Sequence, residues 1–131
     1  MPDLLRLPRH LEQAVWAHAL REWPRECVGV LGAGESGALQ ALYPLPNIAR
    51  HPERRYLADP LGLLRALRAM RQGGLSLAAI YHSHPHGPAW PSASDLALAE
   101  YRVPYLIADV QARELRAYLL PENIEVSIEL V

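Results

Sequence analysis

The chain has 131 residues, 13 of them basic and 14 acidic, so its formal net charge at pH 7 is -1. A chain of this length supports one hydrophobic core and excludes a second, so we expect a single domain over residues 1–131. The balanced charge argues against a general nucleic-acid or anionic-membrane binder, because either activity needs a predominantly basic surface.

The first half of the chain predicts a helix, a hairpin and a second helix. Apolar residues four apart favour an amphipathic helix, and two apolar runs around a glycine-rich turn are typical of a β-hairpin. A proline-rich segment over 44–60 predicts an ordered surface loop with a short strand at Tyr56-Leu57. The expected elements are a helix over 7–22, strands over 26–33 and 38–43, and a helix that begins at Asp59-Pro60 and ends at Gly73-Gly74.

The second half predicts mostly strands. A short apolar run over 75–81 leads directly into His82-Ser83-His84, and three prolines and a glycine make residues 85–91 a loop. A helix over 92–101 and strands over 104–110, 115–120 and 124–130 follow. The sequence therefore predicts an α/β sandwich, in which helices flank a mixed and largely antiparallel sheet of about six strands.

Cysteine content and hydropathy favour a cytoplasmic location. Cys27 is the only cysteine, which excludes an intramolecular disulfide and a zinc site built from several cysteines. No apolar run approaches the roughly 18 residues that a spanning helix needs, and the first residues do not resemble a secretion signal. We expect neither secretion nor membrane insertion.

His82, His84 and Asp95 form a candidate metal site. Residues two apart on a strand face the same side, so both imidazoles can converge on one ion. Asp95 follows eleven residues after His84, and the proline-rich loop between them can fold its carboxylate back toward the histidines. Three N/O ligands leave a fourth tetrahedral position for water, which is the pattern of a catalytic zinc site.

Two further residues are candidates for catalysis. Glu26 opens an otherwise apolar strand, where a carboxylate is costly without a partner, and it is the candidate general base. Ser92 lies three residues before Asp95 and could donate its hydroxyl to an oxyanion. Ser92 and Asp95 also match a capping box, which satisfies backbone donors at a helix start, and the two roles can coexist.

Other polar residues have simpler interpretations. We expect His86 and His51 to be loop residues, and His10 and His18 to be surface positions on the first helix. Cys27 next to Glu26 invites a thiol-protease interpretation with His82 and Asp95, but its apolar neighbours favour a buried core residue. Trp90 either contacts substrate or packs to hold its loop. The arginines at 65, 68 and 71 predict a solvated helix face.

The spacing of these residues resembles the JAMM (MPN+) zinc metallopeptidase family. The matching residues are His82-Ser83-His84-Pro85, then Ser92 and Asp95, with Glu26-Cys27-Val28-Gly29 upstream. Pro24, Asn47 and the segment 56–60 also look like family features, so the resemblance covers most of the chain. It implies a JAMM/MPN, cytidine deaminase-like sandwich with one zinc held by the two histidines and the aspartate, a Glu26 base and a Ser92 oxyanion contact.

The resemblance also implies a function. It suggests a cytoplasmic isopeptidase or peptidase that acts on the C-terminal tail of a ubiquitin-fold partner. The arginine-only basic content is typical of a GC-rich bacterial gene, and small bacterial relatives process ubiquitin-fold sulfur-carrier proteins ending in Gly-Gly. The leaving group is left open between a peptide, an isopeptide-linked amine and a carried cysteine, and so is the oligomeric state. The alternative is a non-catalytic MPN-type interaction scaffold. A nucleobase deaminase is excluded, because it needs His-x-Glu and Pro-Cys-x-x-Cys and the chain has a single cysteine.

Overall fold

The computed structural model describes residues 4–131 and shows an α/β fold with three helices and a seven-stranded sheet. The strands are β1 (Leu4–Leu7), β2 (Val28–Ala33), β3 (Leu39–Leu45), β4 (Ser76–His84), β5 (Tyr105–Asp109), β6 (Glu114–Leu119) and β7 (Ile124–Leu130). The helices are α1 (Arg9–Glu22), α2 (Pro60–Gln72) and α3 (Ala93–Leu98). No helix among residues 4–131 is both long enough and apolar enough to cross a membrane.

The strand order is β1-β7-β6-β5-β4-β2-β3, and two of its six pairings are parallel, β1 with β7 and β4 with β5. This confirms the predicted mixed and largely antiparallel sheet. The additional strand is β1, which pairs with β7 and carries an ion pair of 3.0 Å between Arg6 and Glu129. Its four residues are too few for an alternating pattern to identify a strand, and α1 accordingly begins at Arg9 and not at Leu7.

The sheet separates two hydrophobic clusters. One contains α1 with Ala79 and Tyr81 of β4, and the other contains α2 with Ile80 of the same strand. Because side chains alternate along a strand, the histidines that follow Ile80 at even positions lie on the α2 side of the sheet. The fold therefore presents His82 and His84 at the carboxyl end of a central strand, between α2 and α3.

Several local signals are confirmed by their contacts. The side chain of Asp59 caps α2 by accepting a hydrogen bond of 3.3 Å from the backbone N–H of Gly62. The third helix is shorter than predicted and ends at Leu98. Beyond this end, the backbone N–H groups of Glu100 and Tyr101 do not make helical hydrogen bonds. They donate instead to the hydroxyl of Tyr105.

The prediction that His18 lies on the surface is wrong. Its position three residues after Val15 places it on the buried face of α1, where 4% of its surface is exposed. Its Nδ1 lies 2.7 Å from the Tyr81 hydroxyl, and burial lowers the pKa of His18, which favours the neutral ring. His10 and His51 are exposed, as predicted.

We predict that Gly29→Ala destabilises the protein. A Cβ at Gly29 would overlap the ring of Tyr81, which is fully buried and cannot move without breaking its contact with His18. Overpacking of this kind costs about 1–3 kcal/mol. Thermal denaturation should show a clearly lower Tm for this variant than for the native protein.

The control is Gly73→Ala, where a Cβ meets only backbone oxygens, the nearest at 3.5 Å. This substitution should be neutral or slightly stabilising, because alanine reduces the conformational entropy of the unfolded chain. Equal Tm values for the two variants would show that the Tyr81 ring does not restrict this position.

Candidate metal centre

Two imidazole rings meet at the end of β4. His82 is fully buried and His84 is 7% exposed, and their Nε2 atoms lie 3.2 Å apart. His84 is anchored by its other ring nitrogen, because Nδ1 lies 2.6 Å from the carbonyl oxygen of Pro88. Since a carbonyl only accepts, Nδ1 carries the proton, and the Nε2 lone pair of a neutral His84 ring points toward His82.

Asp95 of α3 completes this group. Its Oδ2 lies 3.1 Å from Nε2 of His82 and 3.0 Å from Nε2 of His84, and its residue is 5% exposed. Burial would raise the pKa of Asp95, but the two histidines and the Ser92 backbone N–H hold it well below its usual range. The aspartate is therefore ionised.

Ser92 and Asp95 form the capping box that the sequence predicts. The backbone N–H of Ser92 donates to Oδ2 of Asp95 at 2.9 Å, and the backbone N–H of Asp95 donates to Oγ of Ser92 at 3.1 Å. The carboxylate is thus fixed by the start of α3 and still faces the two histidines. Capping and metal ligation are compatible in this geometry.

The three convergent atoms fit a bound cation. Oδ2 of Asp95 and Nε2 of His84 are acceptors, so the triangle of 3.0–3.2 Å edges contains at most one proton while both imidazoles are neutral. Ligands about 2.0–2.1 Å from a tetrahedral zinc lie about 3.3 Å from one another. The spacing and the N/O donor set of His82, His84 and Asp95 match a zinc site with three protein ligands.

Glu26 lies beside the histidine pair, just before β2. A carboxylate oxygen of Glu26 and one ring nitrogen from each of His82 and His84 all lie within 4.8 Å of one another. Glu26 is 4% exposed, and its Oε1 has no hydrogen-bond partner within residues 4–131. Burial raises the pKa of Glu26 to about 8, against the opposing effect of His84. A carboxyl group of this kind exchanges a proton near neutral pH.

The sequence analysis missed the role of Asn47, which holds Glu26 in place. Its Nδ2 donates to the carbonyl oxygens of Glu26 at 2.9 Å and Arg55 at 3.2 Å, and its Oδ1 accepts from the backbone N–H of Leu57 at 3.0 Å. The backbone N–H of Glu26 in turn donates to Pro52 at 2.7 Å. The family resemblance includes Asn47, but neither the resemblance nor its place in a proline-rich loop predicted this contact network.

Tyr56 belongs to the segment included in the family resemblance, but its contact with His82 was not predicted. Its ring lies 4.5 Å from that of His82, with an angle of 32° between the planes. Nδ1 of His82 has no hydrogen-bond partner within the described part of the chain, so this stacking contact takes the orienting role that a hydrogen bond has for His84. Nothing in the spacing of Tyr56 indicated this contact.

Two depressions open beside the centre. A groove of about 300 Å³ has Glu26, His84 and Ser92 along it, and Trp90 and Arg54 also line it. On the Asp95 side, an apolar cavity of about 180 Å³ is lined by residues that include Tyr56, Leu57, Leu63 and Leu98. Trp90 is 56% exposed and lines the groove, so it is positioned to contact a molecule bound there.

His86 and Cys27 do not belong to the group. His86 is exposed, and its ring contacts Trp23 and Gln111 instead of the convergent nitrogens. Cys27 lies in the hydrophobic cluster on the α1 side of the sheet, and burial raises its pKa to about 11. A thiolate nucleophile is therefore disfavoured, and Cys27 is the buried core residue that the sequence predicts.

Comparisons with known proteins agree with this geometry. The family model described as prokaryotic homologs of the JAB domain matches residues 8–121. The chain is 50% identical, over 95% of its length and 82% of the relative, to a "Probable TtuB-protein conjugate cleaving protease" from Thermus thermophilus. It is 36% identical, over 86% of its length and 80% of the relative, to a "CysO-cysteine peptidase" from Mycobacterium bovis.

Solved structures show the same architecture. A protein from Desulfitobacterium hafniense, DSY2949, superposes with a TM-score of 0.86 and 31% identity, covering 98% of this chain and 92% of that one. The JAB1/MPN domain protein AF2198 from Archaeoglobus fulgidus superposes with a TM-score of 0.69 at 19% identity, covering 98% of each chain, which supports the fold alone. With the matched family model and the named peptidases, these results show that the chain belongs to the prokaryotic JAB-domain family and is a JAMM/MPN-type peptidase.

Proposed function

We propose that this protein is a zinc-dependent metallopeptidase or isopeptidase that cleaves a peptide-like bond at the C-terminal tail of a ubiquitin-fold sulfur-carrier protein ending in Gly-Gly. One nitrogen each of His82 and His84 and one oxygen of Asp95 converge within 3.0–3.2 Å, with the buried Glu26 carboxyl beside them, and this convergence carries the proposal. A single free, buried cysteine is consistent with function in the reducing cytoplasm.

His82, His84 and Asp95 would hold one zinc ion per chain. When bound, zinc supplies Lewis acidity, which polarises a carbonyl group and acidifies water near neutral pH. The chain's own contribution is to fix the ligands through the Pro88 contact, the capping box and the Tyr56 ring. These contacts reduce the reorganisation that ion binding would otherwise require.

Glu26 would act as the general base and then as the general acid. Its carboxylate accepts a proton from the attacking water and then delivers that proton to the departing amine. A pKa raised to about 8 by burial makes the carboxyl group able to perform both transfers near neutral pH. Asn47 keeps the Glu26 backbone at a fixed distance from the histidines.

Ser92 would stabilise the developing oxyanion. Its Oγ already accepts the backbone N–H of Asp95, and its own hydroxyl hydrogen can rotate between Oγ of Ser94, 3.1 Å away, and a substrate oxygen in the groove. A donor of this kind contributes a few kcal/mol to stabilisation of the transition state.

The substrate class comes from the relatives. One is named for cleaving TtuB-protein conjugates and the other for CysO-cysteine, so both names describe separation of a named partner from an attached group. The groove beside Glu26 has room for such an attached group. A non-catalytic scaffold does not require the buried Glu26 carboxyl, whose desolvation is unfavourable for folding.

The metal assignment predicts about one zinc per chain, which His84→Ala should lose. Elemental mass spectrometry on untagged protein measures the ratio, and His86→Ala is the matched control because His86 does not contact the convergent atoms. Absence of zinc from the native chain after incubation with zinc salts would favour the scaffold alternative.

Glu26→Gln should keep zinc and lose at least about 100-fold in kcat, because general acid–base catalysis contributes roughly 10²–10⁴-fold. The assay is release of a fluorescent amine from the terminal glycine of a ubiquitin-fold sulfur carrier. Glu35→Gln, in the exposed turn between β2 and β3, should behave as the native enzyme. A fully active Glu26→Gln variant would exclude Glu26 as the base.

Stability of the metal-free protein should fall as pH rises toward 9. The folded-state pKa of Glu26 is raised from 4.5 to about 8, so its contribution is fully present below pH 4.5 and lost as pH rises through about 8. In EDTA, the Tm of the native chain should therefore decrease more between pH 5 and pH 9 than the Tm of the Glu26→Gln variant. Parallel Tm profiles for the two proteins would contradict the raised pKa.

A further inference from the structure

The antiparallel register of β2 and β4 continues beyond the first residue of β2. Val28 lies opposite His82, so the same register places Cys27 opposite Ser83. The backbone N–H of Ser83 donates to the carbonyl oxygen of Cys27 at 3.1 Å, which is consistent with this pair. Because side chains alternate along a strand, Glu26 then faces the same side of the sheet as Val28 and His82.

A side chain makes the second hydrogen bond of this residue pair. A hydrogen-bonded antiparallel pair normally exchanges two bonds between backbone groups. Here the backbone N–H of Cys27 donates to the side-chain Oγ of Ser83 at 2.8 Å. Ser83 is 0% exposed and Cys27 is 1% exposed, so loss of the hydroxyl would leave a buried N–H without a partner. The hydroxyl therefore holds the chain at the point where it enters the sheet.

The peptide group between Glu26 and Cys27 is consequently held at both of its polar atoms. Its carbonyl oxygen accepts a hydrogen bond of 2.9 Å from Nδ2 of Asn47, and its N–H donates to Oγ of Ser83. The backbone N–H of Glu26 also donates to the carbonyl oxygen of Pro52, at 2.7 Å. These contacts fix the backbone on both sides of the Glu26 Cα atom.

The position of the Glu26 carboxyl depends on this backbone. Glu26 is 4% exposed, and its Oε1 has no hydrogen-bond partner within residues 4–131. No polar contact of that oxygen therefore sets its place within 4.8 Å of the nitrogens of His82 and His84. A rotation of the peptide group after Glu26 would displace the carboxyl, and a displacement of about 1 Å at a reacting group can lower a rate about 100-fold.

Ser83 does not belong to the candidate metal centre, although it lies between two of its residues. Side chains alternate along β4, so Ser83 faces the α1 side of the sheet and the flanking histidines face the α2 side. Cys27, its partner in the pair, belongs to the hydrophobic cluster on the α1 side. The hydroxyl of Ser83 can therefore affect the reaction only through the backbone that it holds.

We infer that Ser83 is a positioning residue, whose buried hydroxyl holds the Cys27 N–H and thereby keeps the Glu26 carboxyl in place for proton transfer. This inference rests on the proposed role of Glu26, and it adds a residue that touches neither the ion nor the substrate. A merely structural serine would change stability and zinc content together with the rate, whereas a positioning residue changes the rate through Glu26 alone.

The test uses three substitutions of Ser83. Ser83→Ala removes the hydroxyl without adding volume. Ser83→Thr and Ser83→Val add nearly the same volume, and only the first keeps a hydroxyl, so comparing the two separates the hydrogen bond from overpacking. Each substitution is made in the native chain and in Glu26→Gln, and zinc content is measured for all of them.

Amide hydrogen exchange of the metal-free protein tests the contact itself. Relative to the Ile80 amide in the same sheet, the Cys27 amide should exchange at least about tenfold faster in Ser83→Ala and Ser83→Val than in the native chain and Ser83→Thr. Crystal structures should show the Glu26 carboxyl displaced by about 1 Å in Ser83→Val and in its native place in Ser83→Thr. Equal exchange in the native chain and Ser83→Ala, or an undisplaced carboxyl in Ser83→Val, would overturn the inference.

Turnover of a ubiquitin-fold sulfur carrier with a fluorescent amine on its terminal glycine tests the consequence. Ser83→Ala and Ser83→Val should lower kcat at least about tenfold with KM within about twofold and about one zinc per chain, and Ser83→Thr should restore kcat. In Glu26→Gln the same substitutions should leave the residual kcat unchanged, because the carboxyl that Ser83 positions is absent.

The outcomes separate this inference from the proposed function. Equal losses of kcat in the native and Glu26→Gln backgrounds, or loss of zinc in Ser83→Val alone, would show a structural role and refute the positioning role. Failure of the native enzyme to cleave the carrier would refute the proposed function. In that case, hydrogen exchange and the crystal structures still decide whether Ser83 holds Cys27 and Glu26 in place.

Discussion

The convergence of two imidazole nitrogens and one carboxylate oxygen in a buried place is the constraint on which the rest of the structure depends. Asp95 is held ionised beside two imidazoles, and neither His82 nor His84 can move toward solvent without leaving the end of a central strand. Burial lowers the pKa of His82, whereas Asp95 and Pro88 outweigh burial and raise the pKa of His84. Without a cation, His84 is therefore the histidine that binds a proton more readily. Its ring is the one that the Pro88 carbonyl holds through Nδ1.

The histidine pair and Asp95 are fixed by different secondary-structure elements, and this explains how a small fold holds the group. The two histidines depend on β4, which is paired with β2 on one side and β5 on the other. Asp95 depends on the start of a six-residue helix, whose stability comes from its capping box more than from its length. Because α3 is so short, the Asp95 carboxylate and the cap form one unit, and substitution of Ser92 disturbs both the start of the helix and the position of Asp95.

The sequence predicted the residues whose spacing is local. The strand that ends in His82 and His84, the capping box of Ser92 and Asp95, and the Asp59 cap all follow from periodicities or short motifs within one element. Contacts that depend on tertiary structure could not be predicted this way. Asn47 and Glu26 are 21 residues apart in the sequence, and Tyr56 and His82 are 26 residues apart. The buried position of His18 likewise depends on a contact with Tyr81, which lies much later in the sequence.

The loop from 47 to 58 connects Glu26 to the apolar cavity on the Asp95 side. Asn47 fixes both the backbone of Glu26 and that of Leu57, so the position of the Glu26 carboxyl and the wall of the apolar cavity depend on one side chain. A substrate that presses on Leu57 therefore acts on the same hydrogen-bond network that positions Glu26. Under the proposed function, contacts between a bound tail and Leu57 therefore contribute binding energy to catalysis at the scissile bond.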